Sequence, residues 1–154
     1  MKIWKRRKDR RVDSVARDRR KFLKDQAFLK IALTISELST CERSQVGAIV
    51  VTEDNSQIVG IGYNGNYAGG PNVCDSWEPG NCGCVHAEQN ALLKFSSVLY
   101  KDAKMYVTLS PCKMCAKLII NAGIKQVYYG EKYRDNQPIK LLQDNDIYVQ
   151  RIEL

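Results

Sequence analysis

The chain contains one histidine, four prolines, three phenylalanines and two tryptophans among its 154 residues. No apolar run approaches the roughly 18 residues that a membrane-spanning helix requires, so no bilayer span is expected. The N-terminus is basic but no apolar core follows it, which argues against a secretory signal. Without such a signal, six cysteines are better read as metal ligands in a reducing cytoplasm than as a disulfide framework. No internal repeat is visible, and the only low-complexity stretch is the basic start. What is present is ordinary for one domain with a proper core: 44% hydrophobic and 27% charged residues.

The net charge of +7 is not spread evenly. Residues 1–24 hold 12 Lys and Arg against three Asp, a net of +9. The rest hold 12 basic and 14 acidic side chains, a net of −2. The basicity therefore belongs to one segment, and the slightly acidic body argues against a large nucleic-acid face. Residues 1–16 are too charged to bury much surface and are expected to form a flexible or marginally helical arm. Residues 17–154 are expected to form the domain.

Apolar spacing then gives the order of elements. Phe22, Phe28, Ile31, Ala32, Ile35 and Leu38 recur at helical steps. Strands are expected over Val46–Val51 and Ile58–Ile61, joined by a polar turn. Residues 64–84 read as a Gly- and Pro-rich loop. A helix over His86–Phe95, a strand over Met105–Leu109 and a helix from Pro111 to Ala122 follow. A strand over Gln126–Tyr129, a short helix over Ile139–Gln143 and a strand over Ile147–Ile152 complete the chain. The order α-β-β-α-β-α-β-α-β predicts an α/β fold in three layers, a mixed five-stranded sheet with helices on both faces.

The chemistry concentrates in His86-Ala87-Glu88 and Pro111-Cys112-Lys113-Met114-Cys115. Catalytic zinc takes three protein ligands of N and S type and keeps one position for water. His86, Cys112 and Cys115 supply such a set, each at the predicted start of a helix. A helix N-terminus favours thiolate over thiol. Glu88 lies two residues past His86, placed to move a proton to and from a water beside the metal. That combination suits hydrolytic deamination, in which water adds to the carbon bearing an amino group and ammonia leaves. A closed structural zinc on His86, Cys112, Cys115 and a fourth cysteine is the plainer alternative, and Glu88 has no use in it. H-x-E followed by P-C-x-x-C is the signature of zinc nucleobase deaminases.

The chain resembles the cytidine deaminase-fold proteins, and among them the deoxycytidylate (dCMP) deaminases, including phage forms. The resemblance runs from about Phe22 to Ile152. It rests on Cys41-Glu-Arg-Ser-Gln-Val-Gly-Ala48, Gly60-Ile-Gly-Tyr-Asn-Gly65, Ala68-Gly-Gly70, Cys84-Val-His-Ala-Glu-Gln-Asn-Ala91, Tyr106-Val-Thr-Leu-Ser-Pro-Cys-Lys-Met-Cys115 and Ala122-Gly-Ile124. It implies a zinc hydrolase converting dCMP to dUMP and ammonia, feeding pyrimidine deoxynucleotide synthesis in a cytoplasm, the host's if the chain is phage-encoded. It also implies roles for single residues. Asn64 would bond the sugar hydroxyl or base, the Ala87 N–H the pyrimidine carbonyl, and the Ser110 carbonyl the exocyclic amine, with Tyr133 near the substrate. Arg43, Lys132 and Arg134 are the phosphate candidates, since phosphate favours forked or ammonium donors. The resemblance further implies a homo-oligomer, hexamer or dimer, and dCTP and dTTP as effectors, a regulation associated with Gly-Tyr-Asn-Gly.

Four cysteines remain: Cys41, Cys74, Cys82 and Cys84. Four thiolates are what a closed structural zinc site takes, and Cys41 and Cys74 resemble two ligands of a second zinc in some phage relatives. Free buried thiols are the alternative. Two other functions stay open at this point. One is deamination of another substrate, such as a free nucleoside or adenosine in tRNA. The other is a zinc-stabilised nucleic-acid-binding module without activity.

Overall fold

A computed structural model describes residues 10–78 and 80–154. The first nine residues of the expected arm lie outside that description. The elements run α1 (Arg10–Ser36), β1 (Gly47–Val51), β2 (Ile58–Tyr63), α2 (Ala87–Leu92), β3 (Lys104–Leu109), α3 (Lys113–Asn121), β4 (Gln126–Glu131), α4 (Gln137–Gln143) and β5 (Tyr148–Arg151). Helix and strand order match the apolar pattern. The one large difference is α1, which starts at Arg10 rather than at Phe22. Residues 14–24 of it are exposed, so no buried stripe marks that stretch. Arginine and lysine are good helix formers, and the chain stays helical without a core to face.

The five strands form one sheet in the order β2-β1-β3-β4-β5. β1 is antiparallel to β2 and β3, while β3, β4 and β5 run parallel. Side chains alternate across the sheet and build a core on each face. On one face α1 lays Leu29 and Ala32 against Ile49, Val51, Tyr106, Tyr128 and Ile152. On the other, Ala87 and Ala91 of α2, Ala116 and Ile119 of α3 and Leu142 of α4 cover Ala48, Val50, Met105, Val107 and Val127. This is the expected three-layer mixed α/β architecture.

Two features of β2 set the position of α2. Gly62 has no side chain because α2 lies directly on it: a Cβ there would collide with the Ala87 carbonyl and the Ala91 nitrogen. β2 is also an edge strand. Its Ile61 and Tyr63 carbonyls accept from Lys94 Nζ at 2.9 Å and Asn90 Nδ2 at 2.8 Å. The helix is thus tied to the strand by contact from above and by side chains at the rim.

Candidate active site

Two helix starts meet at the site. His86 immediately precedes α2 as its N-cap, and its N–H donates to Gln89 Oε1 at 2.7 Å. Cys112 is the N-cap of α3, and its sulfur accepts the Cys115 N–H at 3.5 Å. Cys115 lies on the same first turn, fully buried. His86 Nδ1 lies 3.6 Å from Cys112 Sγ and 3.3 Å from Cys115 Sγ. A tetrahedral zinc with bonds of roughly 2.0 Å to nitrogen and 2.3 Å to sulfur puts N and S ligands about 3.5 Å apart. The three side chains therefore fit zinc by spacing as well as by chemistry.

The electrostatics follow from crowding. Cys112 is pulled down to about 4, first by the hydrogen bond from Cys115 and also by His86. Cys115 is pushed up, first by that same pairing and then by burial. His86 is raised, mainly by its hydrogen bond with Cys112. Cys112 is thus the readier thiolate of the pair. Glu88, 4% exposed, is raised by burial, a carboxyl that gives up its proton reluctantly and so can also return one.

His86, Glu88 and Cys112 open into one cavity of about 260 Å³, with Cys115 buried outside its lining. Asn64, Ala87, Ser110 and Tyr133 line it with His86, Glu88 and Cys112. Ser110 Oγ accepts the Tyr133 N–H at 2.7 Å, setting the turn that brings Tyr133 to the wall. Of the three phosphate candidates, Arg43 and Arg134 line the cavity and Lys132 does not. Arg43 Nη1 donates to the Glu78 carbonyl at 2.7 Å, and the Arg134 guanidinium lies over the Tyr133 ring at 5.0 Å. Gly80 sits between them with φ +86, and a Cβ there would come within 2.8 Å of Arg134 Nη1.

The other four cysteines also converge. Cys41, Cys74, Cys82 and Cys84 place their sulfurs within 4.8 Å of one another. Cys74 Sγ is 3.6 Å from both Cys41 and Cys84. Bonds of roughly 2.3 Å give a tetrahedral S···S edge of about 3.8 Å, so this set also suits zinc. Cys41 and Cys82 additionally line the same cavity, in keeping with the long loop lying beside the mouth of the site. Ser44, Leu109 and Gly80 line it too; the first two lie inside the segments that carry the resemblance without a role assigned to them, and Gly80 lies in none.

The family model for the cytidine and deoxycytidylate deaminase zinc-binding region matches residues 23–131. Human deoxycytidylate deaminase is 41% identical over 121 residues, covering 71% of this chain and 66% of that protein. The chain thus spans just under two thirds of the human protein's length. The deoxycytidylate deaminase of Enterobacteria phage T4 is 33% identical over an alignment of 164 residues, covering 75% of this chain and 82% of that protein. Among solved structures, the dCMP deaminase of cyanophage S-TIM5 in complex with dCMP and dUMP superposes with a TM-score of 0.71. It is 36% identical and covers 82% of this chain and 94% of its own.

Proposed function

The chain belongs to the cytidine and deoxycytidylate deaminase family, and on that premise we propose that it hydrolyses dCMP and water to dUMP and ammonia. The observation that supports this is one cavity lined by Glu88, by His86 and Cys112 of the His86-Cys112-Cys115 set, and by Arg43 and Arg134.

His86, Cys112 and Cys115 would hold a zinc ion, which would supply Lewis acidity and lower the pKa of water in the site. Glu88 moves the two protons of the attacking water in turn: the first passes to the ring nitrogen as the oxygen adds, and the second, from the hydroxyl of the adduct, passes to the departing amine. The water oxygen bonds to the carbon that bears the amine, the C–N bond breaks, and the nitrogen leaves as ammonia. The Ala87 N–H, unpaired in the first turn of α2, holds the pyrimidine carbonyl. The Ser110 main-chain carbonyl accepts from the exocyclic amine. Asn64 meets the sugar and Tyr133 flanks the base. Arg43 and Arg134 receive the phosphate as charge-assisted donors.

Cys41, Cys74, Cys82 and Cys84 hold a second, structural zinc that ties the end of α1 to the loop before His86. The chain assembles as a homo-oligomer; Ile31, Leu33 and Leu38, all exposed, offer apolar surface to a second copy. Among the described residues no helix is long and apolar enough to cross a membrane. The test is ammonia release from dCMP, dCTP, deoxycytidine, cytidine and adenosine, with dCTP and dTTP also added as effectors. Fast turnover of dCMP alone is the expected outcome. Preference for adenosine or for an unphosphorylated nucleoside would overturn the substrate assignment.

A further inference from the structure

No sequence motif includes Ser39, which lies just past α1. Its hydroxyl accepts the Cys41 N–H at 3.2 Å. It lies 2.7 Å from Asn64 Oδ1 and 2.8 Å from the Asn64 carbonyl. A hydroxyl has one proton to give. With the Cys41 N–H on its oxygen, that proton turns toward Asn64.

The hydrogen-bond valences of Asn64 can be counted. Oδ1 accepts from the Val46 N–H at 2.8 Å and from Ser39. Nδ2 donates to the Ser44 carbonyl at 2.7 Å. The Val46 N–H and the Ser44 carbonyl have fixed polarity, so the amide has only one orientation that satisfies both. The Val46 N–H thus takes one lone pair of Oδ1, the Ser39 hydroxyl covers the other while sharing its proton with the Asn64 carbonyl, and one N–H remains. Asn64 is 6% exposed and lines the cavity. Toward a ligand it is therefore a donor only, and it selects an acceptor oxygen.

We infer that Ser39 is a positioning residue for sugar recognition: by reaching both the side-chain and main-chain oxygens of Asn64, it holds the amide that Val46 and Ser44 have oriented in the place where its remaining N–H meets the 3′-hydroxyl oxygen of a 2′-deoxynucleotide. The inference rests on the dCMP reading, because the sugar of dCMP has one free hydroxyl, at C3′. Removing the Ser39 hydroxyl frees one lone pair of Oδ1 and loosens the amide, while the proton-transfer groups keep their places.

The experiment compares dCMP with 2′,3′-dideoxycytidine monophosphate, which lacks only that hydroxyl. Ser39→Ala lowers kcat/KM for dCMP about tenfold, the worth of roughly one hydrogen bond, and the loss falls mainly on KM. On the dideoxy substrate the same substitution changes kcat/KM by less than about twofold, since the partner of the N–H is already missing. Ser39→Thr, which keeps a hydroxyl, restores most of the dCMP rate. An equal loss on both substrates means a general structural role and overturns the inference, as does no loss on dCMP. Should Ser39→Ala fail to fold, Ser39→Gly on the same two substrates decides in its place: a loss confined to dCMP supports the role, and an equal loss on both substrates or none on dCMP overturns it. If wild type turns over another nucleotide and not dCMP, the substrate reading fails instead. The same pair of sugars on that nucleotide then decides the role of Ser39.

Discussion

The Tyr106 hydroxyl, in the middle of β3, donates to Asp25 Oδ1 of α1 at 2.7 Å. Both groups are buried. Tyr106 also stacks on Tyr128 at 4.8 Å and touches Phe28 at 5.2 Å. This bond fixes α1 over the sheet on the face opposite the active site. Tyr106→Phe leaves a buried carboxylate oxygen without its donor, at a cost of about 1–3 kcal/mol. The expected result is a lower denaturant midpoint with kcat unchanged within about twofold.

The same core makes a prediction about alkali. Burial pushes the Tyr106 and Tyr128 hydroxyls up, with the Asp25 contact adding to it at Tyr106. An unfolded tyrosine ionises near pH 10. Above that pH the unfolded chain releases protons that the folded chain keeps, so stability falls as pH rises. Ultraviolet titration of the eight tyrosines will show two that ionise only as the protein unfolds. Eight ionising together in the folded state would refute it.

Glu88→Gln keeps the shape and the zinc ligands but removes the proton carrier. Activity on dCMP should drop by about a thousandfold or more, while metal content and melting temperature stay close to wild type. A loss within tenfold would take Glu88 out of the proton transfer.

Phosphate contacts give a substrate test. kcat/KM for dCMP should exceed that for deoxycytidine by at least about a hundredfold, the worth of one or two charge-assisted contacts. Arg43→Ala and Arg134→Ala should each close part of that gap, and Lys132→Ala should leave it unchanged. Equal rates on nucleotide and nucleoside would move the enzyme to another substrate class.

Metal analysis is expected to give two zinc ions per chain. Cys74→Ser, at a residue outside the cavity wall, is expected to lower the melting temperature and retain one zinc, because a metal held by the four cysteines would contribute to folding. One zinc per wild-type chain, with Cys41, Cys74, Cys82 and Cys84 all open to a thiol reagent, would remove the second site.

The clustering of His86, Cys112 and Cys115 was legible because these groups lie in two short segments, each fixed by the start of a helix. The sheet was legible because β1, β3 and β4 carry compact β-rich apolar runs. The first turns of α1 were not, since a helix facing water leaves no apolar period. The Ser39-Asn64 pairing was not legible either. Serine and asparagine are common in loops, and nothing in their local sequence states that 25 residues of chain return them to each other. The entry of Cys41 and Cys82 into the cavity wall depends on how the 64–84 loop folds back, which no periodicity encodes.

The side chains that close the rim of β2 have an effect outside catalysis. An open strand edge is a template on which other chains can add and grow into fibrils. At β2 two of the acceptors such growth requires, at Ile61 and Tyr63, are already occupied by Lys94 and Asn90. Lys94 also brings a positive charge to the spot where a second strand would dock. Solubility at high concentration is therefore linked to the same short helix that begins beside His86. Variants that loosen α2 are expected to aggregate in the cell before their chemistry can be measured.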